Sequence, residues 1–156
     1  MPSFNRLILA LVLIVDASAA FAGDFKIGDI TVSQAWSRAT PTGAEVAAGF
    51  RRIATAGSRP DRLIAVSSDI AGVTQVHEMS MQNGVMEMNE VKGGLEIPAG
   101  GSVELKPQSF HVMFMQLKRP LKEGETFKAE LTFAKAGKVT VDLVVGGMGA
   151  TTAPGS

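Results

Sequence analysis

The 156-residue sequence contains no cysteine. Every chemistry that needs a sulfur able to become a thiolate is thereby excluded: type 1 electron-transfer copper, thiol catalysis, zinc ribbons and structural disulfides. Net charge is missing too, fifteen Lys and Arg balancing fifteen Asp and Glu. Nothing therefore favours nucleic acid or an anionic membrane surface, both of which attract an excess of Lys and Arg. Helical periodicity is scarce, and there is no internal repeat, no glycine loop opening a helix to cradle phosphate, and no linker that would split the chain. The length suits one domain with a proper hydrophobic core. Histidine is rare, with His77 and His111 the only two.

Residues 1–22 read as an export signal. Arg6 gives a small positive start, Leu7 to Val15 is an unbroken apolar run, and Ala20-Phe21-Ala22 has the small-x-small pattern of a cleavage site. The apolar run is too short to span a bilayer comfortably. The mature chain is expected to begin near Gly23, with cleavage after Ala20 as the alternative and a retained anchor as the competing reading. Export would place the domain in an oxidising compartment such as the periplasm, where thioether and imidazole ligands cannot be lost to disulfide formation.

From residue 23 the chain reads as short strands separated by Gly, Pro and Ser. Phe25 to Ser33 is expected to form a first, edge strand, and Val46 to Ile53 and Arg62 to Ser68 two more. In the latter, Leu63, Ala65 and Ser67 should face one way and Ile64 and Val66 the other. Asn83-Gly84 predicts a two-residue hairpin, because both central positions of a type I′ turn need positive φ. Phe110 to Leu117, Thr126 to Phe133 and Val139 to Val145 complete the set, the last two alternating cleanly between apolar and polar. Such a pattern, without crossover helices, predicts a single all-β domain over 23–145, an antiparallel sandwich or barrel of Greek-key type. Residues 146–156 have too little apolar bulk to fold and read as a disordered tail.

The chemistry concentrates between His77 and Met115. Both histidines lie there, with Met79, Met81, Met86, Met88, Met113 and Met115, six of the eight methionines. Methionine used as core filler is scattered, whereas thioethers clustered with imidazoles suit a soft metal, Cu(I) in particular. Alternation along a strand puts His111 beside Met113 and His77 beside Met79. Across the Asn83-Gly84 turn, Met79 should pair with Met88, leaving His77 a diagonal neighbour of Met88. A site from His77, Met88, His111 and Met113 is therefore feasible. Met79, Met81, Met86 and Met115 are then surplus, as an apolar rim or transient ligands. Glu78 should face away from His77 and is given no catalytic role.

The run from His77 to Met88, then Gly93-Gly94, Pro98-Ala99-Gly100-Gly101, Leu105-Lys106-Pro107 and His111-x-Met113, resembles the PCuAC family of periplasmic copper chaperones. Ten residues separate His77 from Met88, as in that family. Twenty-two separate Met88 from His111, one more than the family spacing, and the extra residue falls in a turn-rich segment. The resemblance implies a cupredoxin-like fold that binds one Cu(I) through His77, Met88, His111 and Met113. It also implies a monomeric, non-enzymatic carrier serving the CuA centre in subunit II of cytochrome c oxidase, directly or through a Sco-type thioredoxin-like copper protein. Copper storage or resistance, and a copper-free immunoglobulin-like binding module, are the rival readings. A copper- or zinc-dependent enzyme fits less well, since no histidine begins the mature chain and no third hard ligand accompanies the two histidines.

Overall fold

The computed structural model describes residues 23–156, so the expected export signal lies outside the described residues. Eleven strands and no helix make up the described chain. The strands are β1 (Phe25–Ile27), β2 (Ile30–Arg38), β3 (Val46–Thr55), β4 (Asp61–Ser67), β5 (Ala71–Gln82) and β6 (Val85–Glu90). They continue with β7 (Leu95–Ile97), β8 (Ser102–Leu105), β9 (Phe110–Leu117), β10 (Thr126–Phe133) and β11 (Gly137–Gly146).

Hydrogen bonding runs in the order β6-β5-β9-β3-β2-β11-β10-β4-β7, with β1 paired to β2 and β8 to β3. The chain leaves β3 for β4 at the far end of this order and returns to β5, the kind of crossing that defines Greek-key domains. The inner faces enclose one core, in which Val32, Ile53, Leu63, Leu105, Val112, Phe114, Leu131 and Leu143 are sealed from solvent. Phe127, Ala129, Leu131 and Phe133 of β10 all face inward, as their alternation predicts.

Four features depart from the sequence reading or refine it. The first expected strand is two, because Gly28 takes a positive φ of 55° and turns β1 back onto β2. β2 then continues to Arg38 past a bulge at Gln34, where φ is 52° and the register with β3 shifts. In β4 the simple alternation fails: Leu63 and Val66 are both buried while Ile64 and Ala65 are exposed. Leu63 pairs with Phe133 and Ala65 with Thr132, so Ile64 is an extra residue whose bulge resets the phase. Lastly, β11 lies parallel to β2 in an otherwise antiparallel sheet.

The segment read from sequence as a disordered tail, residues 146–156, begins with the last residue of β11 and then runs as turns and bends beside Trp36 and Arg38. Arg38 Nε donates to the Ala150 carbonyl at 2.7 Å. A Cβ on Gly146 would meet Pro154, Ala150 and Trp36 at 3.3 to 3.6 Å, so this glycine lets the segment lie close. Trp36 is buried beneath it and packs on Phe50 with ring centroids 4.7 Å apart.

Within the core sits one charge. Arg51 is 1% exposed, and all three of its guanidinium nitrogens lack a hydrogen-bond partner among the described residues. Desolvation pushes its pKa down to about 10, which still leaves it charged at neutral pH.

Candidate metal centre

The Asn83-Gly84 turn forms as its sequence requires, with φ of 50° and 78°. It sets the β5–β6 register, pairing Met79 with Met88 and His77 with Glu90. β5 also pairs with β9, and there His77 stands directly opposite His111, Gln75 opposite Met113 and Val73 opposite Met115. Paired residues share a face, as do alternate residues of one strand. The outer face of the β6-β5-β9 sheet therefore carries both histidines and all six methionines of the window. Val112 and Phe114 of β9 point the other way into the core.

The two imidazoles lie 5.9 Å apart between centroids, with their planes tilted by 55°. Each ring is tethered through one nitrogen. His77 Nε2–H donates to the Gln75 side-chain oxygen at 2.9 Å, and His111 Nδ1–H donates to the Ser109 carbonyl at 3.1 Å. Each tether fixes a tautomer and leaves a lone pair on the other nitrogen, the arrangement that orients metal-binding histidines. Those free nitrogens, Nδ1 of His77 and Nε2 of His111, are both buried and have no hydrogen-bond partner among the described residues. An unsatisfied buried polar atom costs roughly 1–3 kcal/mol, a penalty that coordination to a metal would remove.

His111 is 3% exposed, and desolvation pushes its pKa below the ordinary 6.5. The Ser109 carbonyl acts in the opposite direction, and His77 adds to the lowering. The neutral imidazole, which is the form that binds metal, is thus favoured at neutral pH.

Along β5 the levels run Gln75, His77, Met79. Met113 flanks the histidine pair at the Gln75 level, on the β9 side, and Met88 flanks it at the Met79 level, on the β6 side. Met113 is half-buried and Met88 is 46% exposed. The four sequence-derived residues thus lie on one face, with His77 and His111 as immediate neighbours and Met113 and Met88 on either side of the pair. By register Met79 stands at the same level as Met88. Glu78 projects to the opposite face, as alternation requires. Among the described residues no third His, Cys, Asp or Glu joins the histidines in a group able to hold a metal ion. Glu90 shares this face by its register with His77, and the other donors beside the histidines are thioether sulfurs, which match soft cations.

Gln75 and the Ser109 carbonyl were not anticipated from sequence. Gln75 was within reach of the alternation argument, being two residues from His77 on the same strand. The Ser109 contact is made by backbone and leaves no trace in residue type.

Comparison with known proteins agrees with this fold. The model of the family described as "Putative lipoprotein LpqE-like" matches residues 30–145. The chain is 35% identical over 105 residues to a protein of Leifsonia xyli subsp. xyli described as "Putative lipoprotein Lxx21020". That match takes in 67% of this chain and 62% of the relative, so the chain spans less than two thirds of the relative's length. Among solved structures, the copper-bound PCuAC domain from PmoF2 is 26% identical and superposes with a TM-score of 0.69, over 80% of this chain and 98% of that one. The Cu(I) form of DR1885 from Deinococcus radiodurans, solved in solution, is 27% identical with a TM-score of 0.57, over 83% of this chain and 85% of that one. The all-β architecture expected from sequence is the one observed, and it is that of PCuAC domains.

Proposed function

Because the chain belongs to the LpqE-like family and has the fold of PCuAC domains, we propose that it is an exported carrier of Cu(I), holding the ion through His77, Met88, His111 and Met113. One observation carries this reading: two cross-strand histidines each present a buried, unpartnered ring nitrogen on a face otherwise rich in thioethers. The copper-bound state of PmoF2 and the Cu(I) state of DR1885 support the choice of ion.

Four neutral ligands leave the charge of a monovalent ion uncompensated, so binding relies on soft donor character and not on ion pairing. Exposed Met88 suits a carrier that releases its cargo. A partner offering stronger ligands approaches from the open side, takes the place of Met88 first, and then draws the ion from the histidines. The recipient we infer is the CuA site of cytochrome c oxidase, reached directly or through a Sco-type protein. The chain acts as a carrier and not as an enzyme, and residues 1–22 serve as the cleaved export signal for a periplasmic domain comprising residues 23–145.

Titration with Cu(I) against a competing chelator tests the site. The wild type should take up one tightly held equivalent, and His111→Ala should weaken its binding by at least about 100-fold. An unchanged affinity in His111→Ala would overturn the assignment. Transfer of copper from the loaded protein to purified acceptors tests delivery; retention in the presence of every acceptor would refute it.

A further inference from the structure

The four-residue site leaves most of the methionine face unexplained. Met81 pairs directly with Met86, next to the Asn83-Gly84 turn, and Met79 lies two residues before Met81 on the same strand. All three share the face that carries the histidines. Met81 is 64% exposed and Met86 46% exposed. β6 is exposed along its whole length, so Met86 and Met88 fill no part of the core. Packing therefore gives no reason for thioethers at these positions, and exposed apolar side chains on a hairpin tip are a solubility liability.

Directly paired residues hold their Cβ atoms about 4.5–5.5 Å apart, and Met79 stands about 7 Å from Met81 along the strand. Three long, flexible side chains on that footprint can bring their sulfurs together around one ion without moving the backbone. A set of three thioethers with no nitrogen or carboxylate selects a soft monovalent cation.

We propose that Met79, Met81 and Met86 form a second, weaker site for Cu(I) at the hairpin tip, through which the ion passes to and from the histidine site. Met88 stands opposite Met79 and one step from Met86 on the same face, so it borders the tip set as well as the histidine pair. The ion moves by ligand exchange at constant oxidation state: Met88 replaces a tip methionine as the ion moves inward, and the histidine nitrogens then displace the rest. Part of this rests on the copper reading above, since the inner destination is the histidine pair. The tip site itself depends only on the three methionines.

The test uses the full mature chain labelled with 13C at the methionine ε-methyl groups, titrated anaerobically with Cu(I) and, as a redox-inert probe, with Ag(I). In the wild type the first equivalent should shift the Met88 and Met113 methyls. A second, weaker equivalent should shift Met79, Met81 and Met86, and only that second event should vanish in the Met81→Leu/Met86→Leu double variant. In His77→Ala/His111→Ala the tip signals should still respond while the tight event is lost, which separates the two sites. The double leucine variant should also slow copper transfer to a chelator by severalfold without changing affinity at the tight site. Met81 and Met86 methyls that stay unmoved in the wild type through two equivalents would overturn the tip site. Transfer at the wild-type rate in the double leucine variant would overturn its role as a relay.

Discussion

His77 and His111 face each other across the β5–β9 ladder, and each holds one nitrogen in a hydrogen bond while the other waits, buried and unpaired. The pair joins strands more than thirty residues apart in sequence, so the site exists only once β5 and β9 have zipped together. Apo protein and metal-loaded protein should share this arrangement, because the tethers are internal to the chain.

Gln75 should matter without touching metal. Its side-chain oxygen fixes the His77 tautomer, so Gln75→Leu frees the ring to turn and to protonate the wrong nitrogen. Cu(I) affinity is expected to fall by about 10–100-fold with little change in the unfolding midpoint, measured by chelator competition and by denaturant titration. Gln75→Glu should retain most of the affinity, because the acceptor is preserved.

Acid should weaken the apo fold over a defined window. Burial lowers the His111 pKa below 6.5, so between the folded value and 6.5 the unfolded chain binds more protons than the folded one. Stability therefore rises with pH through that window, the loss being complete below the folded pKa and absent above the unfolded one. Urea midpoints of apo protein from pH 7.5 to 5 should fall in the wild type, and less steeply in His111→Gln. Copper affinity should fall over the same range, since protons compete for the same nitrogen.

Arg51 should be costlier than an apolar residue. A guanidinium buried without a partner among the described residues carries a desolvation penalty that no hydrogen bond from them offsets. Arg51→Met keeps the length and flexibility of the side chain and is expected to raise unfolding free energy by roughly 2 kcal/mol. Equal or lower stability of Arg51→Met in denaturant titration would show that the charge is compensated in solution.

Gly49 should tolerate no side chain. An added Cβ would meet Phe114 at 2.7 Å and Leu143 at 3.4 Å, both part of the packed core. Gly49→Ala is expected to destabilise by about 1–3 kcal/mol. Gly72→Ala, whose added Cβ meets the exposed Gln116 at its side-chain oxygen and, at 3.1 Å, its Cβ, should cost less because the amide can swing away and leave only the Cβ contact. The order of the two midpoints in one denaturant series checks the comparison.

Composition and alternation determined much of this protein before any fold was known. Absent cysteine and zero net charge removed whole classes of chemistry. The period-two patterns of β10 and β11 gave the sheet, and Asn83-Gly84 gave the hairpin with the Met79–Met88 register, because these signals are local. Alternation misled in β4, where the bulge at Ile64 depends on the partner strand, and it gave no hint of the parallel β11–β2 pairing. The path of residues 147–156 follows contacts with Trp36 and Arg38, far away in sequence. Only the tertiary structure set His77 opposite His111, since the pairing of β5 with β9 is a long-range choice made by the core they both cover. It alone supplied the Gln75 and Ser109 tethers, which turn two histidines into two oriented lone pairs.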